Sequence, residues 1–321
     1  MCVILAVALI FTACGSEPSK ESTEEAKQST EQQKEQKSEK QDSESLKQEA
    51  PAVSTVLETK ATHEKVEENH KVEVDYSNVE DGYVMMKYKE KTSKKIKAQL
   101  TGPSKMTYTY NISVGDYQVI PITDGNGSYQ IAVYQNIEGT SYATVMSFDL
   151  DITLKDEFAP FLTPSQYINY TEDTKVVQKA AQLCSGIDDP LEKVEVVYKY
   201  VIDNYTYDKE KARTVESGYL PDLDKVYEAK KGICFDYAAV MVAMLRSQNV
   251  ATKLIVGYSG SSYHAWVNIY TEESGWITNV IYFDKDQWSL MDPTFASTGN
   301  SSDEIMDYIG DGSNYQAKYI Y

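Results

Sequence analysis

The sequence is poor in cysteine and histidine and has no excess of positive charge. Four cysteines and three histidines occur in 321 residues, and 49 acidic residues outnumber 31 basic ones, which gives a formal net charge of -18. Because no basic patch or phosphate-binding glycine loop is present, the acidic balance argues against a nucleic-acid partner. His63 and His70 lie in or beside a polar N-terminal segment and His264 has no second ligand at a useful spacing, so neither a metal nor another cofactor is predicted.

The positions of the cysteines exclude a disulfide framework. Cys2 and Cys14 lie within or next to an apolar N-terminal run, so that only Cys184 and Cys234 remain for the rest of the chain. Cys184 falls late in a helix predicted over residues 174–184, where a free cysteine behaves as a small buried hydrophobic residue. Cys234 is therefore the candidate for a reactive cysteine.

The N-terminus resembles a bacterial lipoprotein signal. Residues 3–11 are apolar and are followed by Thr-Ala-Cys-Gly, in which Cys14 would be the lipidated residue. The run is shorter than the roughly 20 residues of a membrane-spanning helix, so removal of residues 1–13 is expected. No Lys or Arg precedes the run, a departure that a misassigned start codon would explain. The resemblance implies a lipid-anchored protein on the extracellular face of the membrane; an ordinary secretion signal and a disordered cytoplasmic tail are the alternatives.

Residues 14–75 have the composition of a disordered tether. After Cys14 this segment contains no Phe, Tyr or Trp and is dominated by Glu, Lys, Ser, Gln and Thr. Such a segment buries too little apolar surface to offset the entropy lost on ordering. We therefore predict that it links the anchor to the folded part of the chain.

Residues 76–157 have the pattern of a small all-β domain. Short alternating runs are separated by turn signals such as Thr-Gly-Pro at residues 101–103 and Asp-Gly-Asn-Gly at residues 124–127. Short strands with tight turns are typical of a β-sandwich. No residues in this part have catalytic spacing, so it is interpreted as a binding or spacer module.

Residues 158–321 begin with helical patterns. Asp189 and Pro190 form a cap and a first-turn proline, and the apolar residues that follow mark one helix face. This helix is expected to pack behind the one that carries Cys234. The segment 205–230 would cross near the resulting cleft, although a plain surface loop is an alternative.

The motif Gly-Ile-Cys-Phe-Asp-Tyr-Ala at residues 232–238 predicts a reactive thiol. Apolar residues recur after Cys234 at helical spacing, which places the cysteine in the first turn of a buried helix: Phe235, Ala238, Ala239, Val242 and Leu245. Unpaired backbone N–H groups at a helix start favour a thiolate, and Asp236 would stabilise the same helix start.

Two further motifs supply an imidazole and a carboxylate. His264 lies in Tyr-His-Ala-Trp, within a predicted strand over residues 262–270. Asp292 lies in Met-Asp-Pro-Thr, after a predicted hairpin formed by residues 276–283 and 287–291. A neighbouring imidazole activates a thiol, and a carboxylate holds the imidazole in the required tautomer. Asp284 and Asp286, in the turn of the hairpin, are the alternative carboxylates.

These three motifs, in this order and spacing, resemble the transglutaminase-like superfamily over roughly residues 174–296. The resemblance implies an α+β, papain-like core in which the helix bearing Cys234 packs on an antiparallel sheet. It further implies that Cys234 attacks an amide, that His264 acts first as base and then as acid, and that Asp292 orients His264. Asn249 replaces a glycine that follows the helix in many relatives, and asparagine tolerates the same left-handed conformation.

The resulting expectation is an exported, membrane-tethered cysteine enzyme that forms a thioester and transfers the acyl group to water or an amine. It would be a protease, an amidase or a transglutaminase, with cell-wall or surface peptides as substrates. The candidate cleft residues are aromatic: Tyr207, Tyr258, Tyr263 and Trp266. Arg246 is interpreted as a structural ion-pair partner. The alternatives are a noncatalytic peptide- or wall-binding scaffold and a β domain that does the binding; no oligomeric state is predicted.

Overall fold

The computed structural model describes residues 52–278 and 314–321, together with the backbone of residues 282–284 and 287–289. All the described residues belong to one compact unit, Pro51–Tyr321. No helix in the described part of the chain is long and apolar enough to cross a membrane.

The first part of the fold consists of two four-stranded antiparallel sheets. One has the order β1-β2-β3-β6 and the other the order β5-β4-β7-β8. Their strands are β1 (Val66–Glu68), β2 (Val72–Asp75), β3 (Tyr83–Tyr88), β4 (Ile96–Thr101), β5 (Thr107–Asn111), β6 (Gln118–Pro121), β7 (Gly127–Glu138) and β8 (Ser141–Ile152). Alternate residues of β4 are buried, as expected for strands with one face in a core. The predicted β region is confirmed.

The ordered chain begins earlier than predicted. The strands β1 and β2 lie within the predicted tether, and Val72 and Val74 are fully buried. Their acidic neighbours are also buried but have partners: Asp75 accepts a hydrogen bond from the main-chain N–H of His63 at 2.7 Å, and Glu73 contacts the ring of His63 at 3.1 Å. The tether up to residue 75 was predicted from the absence of aromatic residues. This prediction was wrong because valines form the buried apolar face of β2.

The second part contains five helices and a four-stranded antiparallel sheet in the described residues. The helices are α1 (Lys175–Leu183), α2 (Pro190–Asn204), α3 (Lys209–Thr214), α4 (Leu223–Ala229) and α5 (Cys234–Arg246). The sheet has the order β13-β12-β11-β16. Its strands are β11 (Thr252–Ser259), β12 (Ser262–Thr271), β13 (Gly275–Ile277) and β16 (Tyr315–Ile320).

Helix α5 is the centre of this second part. It is apolar all round and buried from Asp236 to Arg246, which is the pattern of a helix surrounded by other elements. It packs against β11 and β12 and against α1, α2 and α4. Asn249, just beyond the helix, has a φ of 60°, so asparagine takes the left-handed position as predicted. A helix packed on an antiparallel sheet confirms the α+β, papain-like core.

The predicted hairpin differs in its first strand. Residues 276–283 were expected to form one strand, but β13 ends at Ile277 and pairs with β12. The hairpin consists of β14 (Tyr282–Asp284) and β15 (Gln287–Ser289).

One hydrophobic core joins the β region to the helical region. Tyr108 and Tyr110 of β5 form ring contacts with Tyr321, at 5.6 and 6.2 Å between centroids. The hydroxyl of Thr123 donates to the main-chain oxygen of Ile320 at 2.7 Å. The β region therefore supports the sheet that carries His264.

Candidate active site

The backbone before Cys234 is held by a short parallel pairing. The two-residue strand β10 (Lys231–Gly232) pairs with β9 (Thr206–Tyr207), and the main-chain N–H of Asp208 donates to the carbonyl of Gly232 at 2.8 Å. The chain then enters α5, of which Cys234 is the first residue. Cys234 is a free thiol and is partly exposed. The predicted position at the start of a buried helix is confirmed.

The carboxylate of Asp236 organises the start of α5 and is completely buried. One oxygen accepts hydrogen bonds from the N–H of Ile233 at 2.8 Å and from the ammonium of Lys211 at 2.6 Å. The other oxygen accepts from the hydroxyl of Tyr219 at 2.5 Å. Burial, followed by the hydrogen bond to Asp236, raises the pKa of Tyr219, so this phenol keeps the proton that it donates.

His264 lies in β12, opposite Gly257 of β11, and is buried. The Trp266 ring is stacked beside the imidazole, with centroids 6.4 Å apart and planes 19° apart. The Tyr315 ring lies at 6.3 Å from the imidazole. Trp266 is itself buried and contacts the Tyr315 ring at 5.1 Å, so these two rings limit the movement of the imidazole.

A cavity of about 510 Å³ contains both Cys234 and His264 in its lining. Its remaining lining is mostly aromatic and apolar: Tyr167, Tyr207, Ala212, Val215, Glu216, Ser217, Gly218, Tyr219, Ile233, Phe235, Val256, Tyr263, Ala265 and Tyr321. A thiol at a helix start and an imidazole on a strand thus line the same cleft. Nucleophilic catalysis by cysteine needs both of these groups in one site.

The four predicted cleft aromatics separate into two groups. Tyr207 and Tyr263 line the cavity, whereas Tyr258 and Trp266 do not. Tyr258 stands directly opposite Tyr263 across β11 and β12, with ring centroids 5.5 Å apart. Both tyrosines are exposed, 39% for Tyr258 and 59% for Tyr263. Tyr258 therefore adjoins the residues of the cavity through Tyr263, while Trp266 supports His264.

Sequence reasoning did not identify the aromatic residues that support the cleft. Tyr167 lines the cavity and contacts the rings of Tyr110, Phe235 and Tyr321, at 5.5, 5.8 and 4.5 Å. Its hydroxyl donates to the main-chain oxygen of Thr109 at 3.3 Å. These residues are far apart in the chain and share no motif. The prediction that segment 205–230 crosses near the cleft is confirmed by Tyr207 and by the lining residues from Ala212 to Tyr219.

Several predicted residues are not placed with their side chains. Asp292, Asp286 and Cys14 lie outside the described residues. Asp284 ends β14, where only the backbone is described. The carboxylate that would orient His264 therefore remains a prediction, as does lipidation of Cys14.

Arg246 has a structural role, but its partners differ from those predicted. The buried guanidinium donates to three main-chain oxygens, those of Thr252 at 2.9 Å, Thr163 at 2.7 Å and Tyr321 at 3.1 Å. Burial lowers its pKa to about 10. A fork of donors binds separate carbonyls well, and among the described residues the partners of Arg246 are these carbonyls. Cys184 is buried, and burial raises its thiol pKa to about 11.

Among the residues that the structure describes, no group of three or more His, Cys, Asp or Glu side chains is arranged to hold a metal ion.

Residues 177–280 match the model of the transglutaminase-like superfamily. Over this range the chain is similar to a transglutaminase-like domain. The matched range includes Cys234 and His264 and ends before Asp292. This superfamily includes cysteine proteases and transglutaminases, so the fold is compatible with a cysteine hydrolase or transferase.

One curated relative is the uncharacterized protein YebA of Bacillus subtilis (strain 168). It is 28% identical over 119 residues, which cover 31% of this chain and 16% of YebA. The chain thus spans only a small part of the length of that relative.

Three solved structures are similar to this chain at low sequence identity. A candidate cysteine protease from Cytophaga hutchinsonii is 17% identical, with a TM-score of 0.34, over 64% of this chain and 68% of that chain. The periplasmic domain of TgpA from Pseudomonas aeruginosa, bound to ethylmercury, is 13% identical, with a TM-score of 0.34, over 68% of this chain and 94% of that chain. Red sea bream transglutaminase is 13% identical, with a TM-score of 0.27, over 71% of this chain and 53% of that chain.

Proposed function

We propose that this protein is a cysteine enzyme that cleaves an amide through a thioester on Cys234. The observation that carries the proposal is the shared cavity of Cys234, at the first turn of α5, and His264, on β12. The cavity is large enough for a peptide side chain and its flanking backbone. Its lining of tyrosines and small apolar residues suits an uncharged peptide segment better than a phosphate or a nucleotide.

The first half of the proposed reaction forms the thioester. His264 takes the proton of the Cys234 thiol, and the sulfur attacks the carbonyl carbon of the amide. Backbone N–H groups in the first turn of α5 have no partner within the helix and would stabilise the oxygen that becomes negative. His264 then gives its proton to the departing nitrogen as the C–N bond breaks. Among the carboxylates, Asp292 is our proposed partner for the imidazole, with Asp284 and Asp286 as alternatives.

The second half returns the enzyme to its starting state. Water or a primary amine attacks the thioester carbonyl while His264 accepts the proton of the attacking group. The C–S bond breaks, and the proton passes back to the sulfur of Cys234. Water gives hydrolysis, and an amine gives a new amide. We propose peptides or proteins as donors, with anchoring through Cys14 placing the enzyme near cell-wall or surface peptides.

Selective alkylation tests the activated thiol before any substrate is known. The full chain is treated briefly with iodoacetamide at about pH 6, well below the ordinary thiol pKa of about 8.5, and labelling is measured at each cysteine by peptide mass spectrometry. We expect fast labelling of Cys234 that slows by at least about tenfold in His264→Ala, with Cys184 as the buried reference thiol.

Slow labelling of Cys234 that is the same in wild type and His264→Ala would contradict the proposal, provided that circular dichroism shows both proteins folded. In that case the cavity would be a binding site without chemistry. Turnover is tested next with a library of peptides that contain glutamine and peptides that lack it. Ammonia release, peptide cleavage and incorporation of a labelled amine distinguish amidase, protease and transferase reactions.

A further inference from the structure

Residues 209–219 form one side of the cavity, and we call this segment the wall. It contains α3 and the loop that follows, and six of its residues line the cavity: Ala212, Val215, Glu216, Ser217, Gly218 and Tyr219. Helix α3 is short and has no buried residue. A segment of this kind has little apolar packing of its own to keep it in place, so its position depends on specific polar contacts.

Those contacts converge on the helix that carries the proposed nucleophile. Lys211 and Tyr219 come from the two ends of the wall, and both hydrogen-bond the carboxylate of Asp236. They also contact each other, because the Lys211 ammonium donates to the Tyr219 hydroxyl at 2.6 Å. The Tyr219 ring is edge-on to Phe235, with centroids 6.4 Å apart. One carboxylate thus holds both ends of the wall.

The same carboxylate also fixes the backbone next to Cys234. It accepts the N–H of Ile233, the residue that immediately precedes the cysteine. Because Asp236 is completely buried and Lys211 is only partly exposed, water competes weakly for these hydrogen bonds. Any shift of the wall would therefore change the surroundings of Asp236 and of the helix start.

We propose that Asp236 is a positioning residue that holds the wall against the start of α5 through Lys211 and Tyr219, and that the wall controls which groups reach Cys234. The inference rests on the proposed function, since it treats the cavity as the reaction site. Its test does not use turnover, so the two can fail separately.

The test uses Lys211→Met and Tyr219→Phe, which keep most of the side-chain volume. The first removes the ammonium that donates to Asp236 and Tyr219, and the second removes the hydroxyl that donates to Asp236. Lys209→Met is the matched control, because it removes a lysine from the same helix but none of the contacts to Asp236. Asp236→Asn is avoided because it would change three hydrogen bonds at once, including the one from the N–H of Ile233 at the helix start.

Two readouts report on the wall in the full-length protein. Limited trypsin digestion followed by mass spectrometry measures the initial rate of cleavage after Arg213, a site in α3 that every variant keeps. Alkylation of Cys234 is compared for iodoacetamide and for a maleimide that carries a polyethylene glycol chain. We expect Lys211→Met and Tyr219→Phe to raise cleavage in α3 by roughly tenfold, as loss of a hydrogen bond to a charged group predicts. The ratio of bulky to small labelling should rise by at least about threefold, and Lys209→Met should match wild type.

Three results would overturn the inference. One is unchanged cleavage and an unchanged labelling ratio in both variants while the melting temperature stays near that of wild type. Another is an equal effect of Lys209→Met. The third is a parallel rise in labelling of buried Cys184, because this would show that the contacts hold the whole fold and not the wall. A Cys234 that reacts slowly with both reagents would contradict the proposed function, whereas the cleavage rates would still decide on the wall.

Discussion

Gly232 leaves no room for a side chain beside Asp236: a β-carbon built on the glycine would lie 2.6 Å from the Cβ of Asp236. The φ of Gly232 is not in the left-handed region, so glycine is required here because Asp236 lies so close to it. A side chain at residue 232 would displace Asp236, which binds the N–H of Ile233 and the residues of the wall.

Gly232→Ala should displace Asp236 and disturb the start of α5. We expect a loss of about 1–3 kcal/mol in the free energy of unfolding, the usual effect of overpacking, and slower iodoacetamide labelling of Cys234. Urea unfolding and peptide mass spectrometry measure the two effects. Gly139→Ala is the control, since a Cβ there meets no atom within 4 Å. Its strained φ of 54° should lower stability without changing Cys234. Equal effects of the two variants on labelling would contradict the prediction.

Glu216 should make the cavity prefer cationic reagents. It is the one carboxylate among the described residues of the lining, while the nearby charges of Lys211 and Asp236 offset each other. A cationic methanethiosulfonate should therefore modify Cys234 faster than an anionic one of similar size. The ratio of the two rates should fall by about threefold in Glu216→Gln and shrink at high salt. Glu210→Gln, on the same segment but outside the lining, should leave the ratio unchanged. An equal fall of the ratio in Glu210→Gln would show that the net charge of the protein, and not Glu216, sets the preference.

Lys253 should titrate well below an ordinary lysine. Its ammonium lies 3.5 Å from the ring centroid of Trp276 and 4.7 Å from that of Phe161. Burial lowers its pKa from 10.5 to about 8, with Glu157 opposing the shift. The pH dependence of Lys253 acetylation, followed by mass spectrometry, should therefore have a midpoint near 8. In Trp276→Leu the amine is more exposed, and its midpoint should move towards that of a free lysine. A wild-type midpoint of 10.5 would contradict the burial argument.

The same shift has a consequence for stability. The unfolded chain keeps the Lys253 proton up to about pH 10.5, whereas the folded protein releases it near pH 8. The unfolded state therefore binds more protons in this window, and the contribution of Lys253 to the free energy of unfolding rises with pH across it. The difference in stability between wild type and Lys253→Met, measured by urea unfolding at several pH values, isolates this contribution. A difference that falls with pH would contradict the sign.

A fragment of residues 158–321 should not fold without the β region. Removal of the β region would expose Tyr321, which packs against Tyr108 and Tyr110. It would also remove the hydrogen bond that the Thr123 hydroxyl donates to the main-chain oxygen of Ile320. Near-ultraviolet circular dichroism should show no fixed tyrosine environment in this fragment. The Pro51–Tyr321 fragment should show one, since it forms a compact unit. A cooperative thermal transition in the shorter fragment would contradict the shared core.

Local patterns were sufficient to predict the elements that carry the chemistry. Apolar residues at helical spacing after Cys234 define α5, and the β-branched and aromatic residues around His264 define β12. The first turn of a helix and the alternating faces of a strand follow from backbone geometry alone. The tether boundary was wrong because composition was averaged over a segment that ends in the buried valines Val72 and Val74.

The helix of Cys234, the strand of His264 and the candidate thiol and imidazole could be predicted from the sequence, because periodicity and motif chemistry act between neighbours along the chain. Three features emerge from packing alone: Tyr167 and Tyr321 support the cleft, Arg246 binds three carbonyls, and one buried carboxylate contacts both ends of the wall. These contacts join segments far apart in sequence. Their geometry depends on how the sheets and helices pack around one core, which no local pattern records.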